Sequence, residues 1–164
     1  MADRKLIAAV QDIGKRGIQV IVVGGLAAVL NGAPVQTFDI DLVYFRDPAN
    51  LERLLGFLDA VDAIFRMQPA RRLRPNLSHL AGGGHLNLVT SYGPLDLLGS
   101  IGEGLDYAAL LPLSSEMRIG EGLTMPVLNL ETIIAVKQQL GSEKDLATLP
   151  ILRRTLLEIK KANS

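Results

Sequence analysis

The run Ile18-Gln19-Val20-Ile21-Val22-Val23 is β-branched, too short for a helix and apolar enough to form an interior strand. Gly24-Gly25 ends it, and Leu26 to Leu30 then reads as a short helix stopped at Asn31-Gly32. Pro34 marks an extended or turn segment before a second strand, Asp39 to Phe45. Ahead of the first strand, Leu6, Val10 and Ile13 recur at helical spacing. Asp3 serves as the cap of that helix and Gly17 as its stop.

Further along, Asp47-Pro48 is a helix start, with Leu51, Leu54, Leu55, Leu58 and Val61 as the apolar face. Arg66 to Gly84 has little periodicity and is expected to be mostly loop with some strand. His85 to Ser91 and Leu95 to Leu98 flank the turn Tyr92-Gly93-Pro94, and Met117 to Ile119 with Leu123 to Val127 predict a small hairpin. The rest is helical. Asn129 caps a helix carrying Leu130, Ile133, Ile134 and Leu140, and Gly141 closes it. Ser142 with Asp145 predicts a further short helix, and Ile151 to Lys161 a last one with Leu152, Leu156 and Ile159 on its core face. The order predicts a mixed α/β (α+β) domain: a core over residues 1–128 and a helical extension over 129–164, packed as one compact unit.

Composition removes several classes of function. With 164 residues the chain suits one domain with its own core, and at 4% aromatic content that core must come from Leu, Ile, Val and Ala. Seventeen basic residues balance seventeen acidic ones, which argues against broad sequence-independent nucleic-acid binding but not against a local basic patch. No cysteine is present, so disulfides, thiolate metal sites and cysteine nucleophiles are excluded. No stretch has the length of a membrane span, and a cytoplasmic protein is expected.

The chemistry is concentrated in Thr37-Phe38-Asp39-Ile40-Asp41-Leu42-Val43. Alternate strand residues share a face, so Asp39 and Asp41 point one way, roughly 6–7 Å apart, with Ile40, Leu42 and Tyr44 on the other. Like charges so placed repel. A hard divalent cation relieves that, and Mg²⁺ suits a few carboxylates completed by water and phosphate oxygens. The plainer alternative is an edge strand with one solvated face. Gly24-Gly25, between a strand and a helix, offers backbone N–H groups to an anionic phosphate, or simply makes a tight turn. It matches neither Gly-x-x-x-x-Gly-Lys nor Gly-x-Gly-x-x-Gly. Lys137 falls three and four residues after Ile134 and Ile133, on their apolar face. It either snorkels over the core or reaches a bound phosphate or an active-site aspartate with its ammonium.

Taken together, strand, Gly24-Gly25, short helix and Thr37-x-Asp39-x-Asp41 on a second strand resemble the nucleotidyltransferase superfamily typified by DNA polymerase beta. The pattern looks most like its minimal members, found as abortive-infection-type toxins and their uncharacterised relatives. Asp96 in Gly93-Pro94-Leu95-Asp96-Leu97-Leu98 matches the third carboxylate of that superfamily. Lys137 followed by Lys144-Asp145 matches a lysine-bearing helix ahead of a Lys-Asp pair. The matched span runs from about Ile18 to Leu149.

The resemblance implies transfer of a nucleoside monophosphate from a nucleoside triphosphate to an acceptor hydroxyl, with release of pyrophosphate. Asp39 and Asp41 would bridge two Mg²⁺ ions, with Mn²⁺ as substitute. Asp96 would hold the metal nearest the acceptor and help deprotonate it. Gly24, Gly25, Thr37, Lys137 and Lys144 would bind the nucleotide. The acceptor is open: tRNA or other RNA, a protein or a small molecule.

The sequence departs from the family at two places. Asn31-Gly32 stands where His-Gly is common, and Val35 where an arginine is common. This leaves a second reading, a catalytically degenerate member acting as a binding or regulatory protein, one half of a toxin–antitoxin pair. Elsewhere, Arg66, Arg71, Arg72 and Arg74 form a basic stretch suited to phosphates or to plain solvation. His79 and His85 lack metal-ligand spacing, and no Ser-His-Asp arrangement is apparent.

Overall fold

A computed structural model describes residues 3–164. Helix α1 (Arg4–Lys15) leads into β1 (Val20–Val23), α2 (Gly24–Leu30), β2 (Ile40–Tyr44) and α3 (Pro48–Ala60). Then come β3 (Ile64–Phe65), α4 (Leu77–Gly82), β4 (Leu86–Thr90), β5 (Gly93–Leu98) and the small pair β6 (Ser100–Ile101) and β7 (Leu105–Asp106). The chain finishes with α5 (Tyr107–Leu110), β8 (Ser114–Gly120), β9 (Leu123–Leu128), α6 (Leu130–Leu140) and α7 (Glu143–Ala162).

Seven strands form one mixed sheet in the order β3-β4-β5-β2-β1-β9-β8. β1 and β2 are antiparallel, β2 and β5 parallel, β1 and β9 parallel, and the hairpins β4–β5 and β8–β9 extend the sheet on either side. The β-branched run is therefore central, and every residue of β1 is buried, as its composition demands. The second strand is flanked on both sides, so Ile40, Leu42, Val43 and Tyr44 are all buried and the edge-strand alternative for the Asp pair is removed.

Polar side chains fix the elements around β2. Asn50, fully buried at the start of α3, accepts from the Gln19 backbone at 2.7 Å and donates to the Gln19 and Phe45 carbonyls at 3.0 and 2.7 Å. Tyr44 donates its hydroxyl to the Leu80 carbonyl at 2.6 Å and so ties α4 to the sheet. Asn31 donates to the Ala27 and Leu128 carbonyls, joining the end of α2 to the end of β9. That gives the residue at the family's histidine position a structural task.

Three expectations need correction. The stretch Arg66 to Gly84 holds a short 3₁₀ turn and α4, whose Asn76 cap and His79 bond each other's backbone reciprocally. With Leu80 as its one buried residue, α4 has no periodicity to read. The two expected tail helices are one, α7, continuous through Pro150, because the buried stripe Leu149, Leu152 and Thr155 runs across that residue. The hydrogen bond that Pro150 cannot donate belongs to an exposed turn, where water can serve the free carbonyl. Asp39 lies in a bend just ahead of β2 rather than inside the strand.

Candidate functional site: three aspartates at the centre of the sheet

Asp41 is the second residue of β2, and its Cα partners are Val23 on β1 and Asp96 on β5. Asp96 in turn pairs with Asn87 on β4. One line across the sheet thus carries Val23, Asp41, Asp96 and Asn87, and Asp39 joins it from the bend below β2. The ligand oxygens of Asp39, Asp41 and Asp96 lie within 4.8 Å of one another, and each residue is half-buried. An all-oxygen donor set of this size suits a hard divalent cation completed by water or phosphate oxygens.

The glycine pair closes on the same point. Gly24 takes the left-handed conformation (φ +64°) at the junction of β1 and α2, and a Cβ there would run into the Asp41 carboxylate. A Cβ on Gly25 would come 2.8 Å from Thr37 Oγ1. Glycine is needed at both positions because the backbone of the strand-to-helix turn lies directly against the aspartate segment. Thr37 is buried and donates to the Asp39 carbonyl at 3.2 Å, which fixes the bend that aims Asp39.

Crowded carboxylates need compensation. Burial above all, then the charge of Asp39 and the hydrogen bond and charge of Asp96, raise Asp41 from 3.8 to about 7, while Arg66 opposes the rise. Asp41 therefore keeps a proton up to near neutrality when no cation is bound. The triad also carries a guanidinium: Arg66 Nη2 is 2.7 Å from Asp96 Oδ1. Arg66 had no distinguishing signal in the sequence. Its proximity depends on β3 pairing with β4 and β4 with β5, which local patterning does not specify. Val35 confirms that no arginine comes from the loop before β2; the site's guanidinium arrives from the far side of the sheet.

The two lysines are placed otherwise. Lys137 Nζ is 3.3 Å from Asp145 Oδ1, joining α6 to α7, and Lys144 is exposed in the first turn of α7. Among the described residues no ion pair joins either lysine to the three aspartates. No helix among them is long and apolar enough to cross a membrane.

No protein-family model and no curated relative matches the sequence. Solved structures do. A Thermotoga maritima protein, TM1012, provisionally described as a nucleotidyltransferase, superposes with a TM-score of 0.57 at 19% identity, over 96% of each chain. The lincosamide antibiotic adenylyltransferase LnuA, solved with lincomycin bound, superposes with a TM-score of 0.60 at 15% identity, over 92% of this chain and 96% of that one. At such identities the likeness concerns the fold, and the chain has the fold of these nucleotidyltransferases.

Proposed function

We propose that the protein is a metal-dependent nucleotidyltransferase that moves a nucleoside monophosphate from a nucleoside triphosphate to an acceptor hydroxyl. The observation that carries this reading is the convergence of Asp39, Asp41 and Asp96 on the glycine turn at Gly24-Gly25. Asp39, Asp41 and Asp96 would hold divalent cations, Mg²⁺ in the first instance, in a pair or singly. Cations held there supply charge neutralisation at the α-phosphate and at the attacking oxygen. An Asp96 oxygen would accept the acceptor's proton. The backbone N–H groups of the Gly24-Gly25 turn, held directly against Asp41 and Thr37, would receive the β- and γ-phosphates at the rim of the same site. Lys137, should it exchange Asp145 for phosphate, and Lys144, exposed nearby in sequence, would add positive charge for the triphosphate. Thr37 acts through the bend it fixes. A cytoplasmic location would suit a triphosphate substrate, and the helical segment over residues 129–164 would act as an extension of the catalytic core.

The acceptor classes are RNA, a protein and a small hydroxyl compound. The adenylyltransferase LnuA makes the last a sensible first arm, with lincomycin as one probe. The test is incubation with each of the four α-labelled triphosphates, Mg²⁺ and, separately, total RNA, lysate protein and small hydroxyl compounds. Label should appear in one acceptor class and vanish in Asp39→Asn/Asp41→Asn. The second reading, a degenerate binding or regulatory protein within a toxin–antitoxin pair, is favoured by Val35 in place of the family's arginine. It would be preferred if the wild type transferred no label while capturing a specific protein partner.

A further inference from the structure

Of the four arginines between β3 and α4, three engage the surface. Arg71 bonds the Gln68 side chain, and Arg72 and Arg74 both pair with the exposed Asp62. Arg66 turns the other way. Its backbone N–H donates to the Asn87 carbonyl at 2.9 Å, which extends the β3–β4 ladder by one residue. Its Nη2 donates to the Leu88 carbonyl at 2.9 Å and to Asp96 Oδ1 at 2.7 Å. Its Nε is buried and has no hydrogen-bond partner, the one such side-chain atom among the described residues. A guanidinium held on one edge with a buried donor unsatisfied is not there to complete its own hydrogen bonds. Its position follows the charge of Asp96.

We propose that Arg66 is a positioning residue that acts as the resident cation of the triad: it holds Asp96 by one oxygen, disfavours loading by free divalent ions, and cedes Asp96 when metal arrives with a triphosphate. The inference rests on the nucleotidyltransferase reading of the same site. A divalent ion entering alone meets a fixed positive charge within a few ångströms. A metal–triphosphate complex is net negative, and the same guanidinium, with its planar fork of donors, attracts it. One residue thus biases the site toward the substrate-borne metal. It also supplies, from just past the end of β3, a guanidinium in a site whose own preceding loop has Val35.

Calorimetric Mn²⁺ binding to nucleotide-free protein, with melting in chelator and in Mn²⁺, tests this on wild type, Arg66→Gln and Arg66→Lys. Arg66→Gln should bind free Mn²⁺ at least about tenfold more tightly than wild type. It should melt lower in chelator and recover that loss when Mn²⁺ is added. Arg66→Lys, which keeps the charge, should stay near wild type in both. With a non-hydrolysable ATP analogue present the order should reverse, Arg66→Gln binding the Mn²⁺–analogue complex more weakly. An arginine with only a structural role would leave Mn²⁺ affinity in Arg66→Gln equal or weaker, with a melting loss that Mn²⁺ does not repair, and that result overturns the proposal. If Arg66→Gln does not fold, the Arg66 Nε–H resonance of wild type decides. It should move with Mg²⁺ and the analogue together and stay fixed with the same concentration of Mg²⁺ alone; any other pattern overturns the proposal. Label transfer is read in none of these arms. A wild type without transferase activity counts against the enzyme reading alone, and equal Mn²⁺ affinities count against the role of Arg66 alone.

Discussion

Asp41 on β2 and Asp96 on β5 are direct partners across a parallel register, so two carboxylates occupy one position of the sheet. Burial, with Asp39 and Asp96 alongside, raises Asp41 from 3.8 to about 7. Over that window the native state keeps a proton that the unfolded chain has released, so stability falls as pH rises from about 4 to about 7. Urea unfolding in chelator should show wild type less stable at about pH 8 than at about pH 5. Asp41→Asn should flatten that dependence and be the more stable protein at the higher pH. A wild type whose metal-free stability rises across this window would contradict the crowding described here.

Ligand-linked melting separates a metal site from a merely polar cleft. A ligand that binds only the folded state adds about 2.7 kcal/mol at a hundredfold excess over Kd. For a domain of this size that is very roughly 5–10 °C. Wild type should gain such a shift with Mg²⁺ and one of the four triphosphates. Asp39→Asn/Asp41→Asn should stay folded and lose it, while matching or exceeding wild type in chelator. No shift with any triphosphate would favour the binding-protein reading.

The glycine at the head of α2 gives a steric test. Gly24→Ala forces a left-handed alanine and a methyl group into the Asp41 carboxylate. The expected cost is on the order of 1–3 kcal/mol, accompanied by loss of the Mg²⁺–triphosphate shift. Gly32→Ala is the control. Its φ is +97°, but no atom lies within 4 Å of the added methyl, so it should lose stability and keep the shift. If Gly24→Ala also keeps the shift, the glycine turn has no part in binding.

Lys137 is engaged with Asp145, whose carboxyl is held low by the Ser142 hydroxyl first and by Lys137 after it. That stabilisation is present above the ordinary carboxylate range and lost as pH falls below it. Lys137→Met should cost about 1–2 kcal/mol from this half-buried pair and weaken Mg²⁺–triphosphate binding, with Lys137→Arg restoring part of both. Unchanged nucleotide affinity in Lys137→Met would confine Lys137 to the link between α6 and α7.

The parts of the site visible in the sequence are those set by neighbours in the chain. Val20 to Val23, the glycine pair and Asp39-x-Asp41 declare themselves through residue type and short spacing, although alternation wrongly put Asp39 inside the strand. Asp96 became visible only through the family pattern, since an aspartate among Leu95, Leu97 and Leu98 carries no signal alone. Arg66 stood out in the sequence only as one of four arginines, and Asn87 not at all, because their places beside Asp96 follow from the pairing of β3, β4 and β5, and strand order is a long-range property. Helix α4 escaped for a different reason. Its cap uses His79 where a capping box usually has Glu or Gln, and Leu80 alone faces inward. The tail misled in the opposite direction: it reads as two helices after Ser142, where one buried stripe, Leu149, Leu152 and Thr155, runs through a single α7.

The central claim is that Asp39, Asp41 and Asp96 form a divalent-metal site serving a triphosphate. Anomalous diffraction from crystals grown with Mn²⁺ and a non-hydrolysable ATP analogue tests it most directly. The account predicts Mn²⁺ peaks in contact with all three carboxylates, roughly 3.5–4 Å apart if two are present, with the triphosphate running past Gly24-Gly25. Mn²⁺ bound elsewhere, or a triphosphate bound away from the three aspartates, would contradict it.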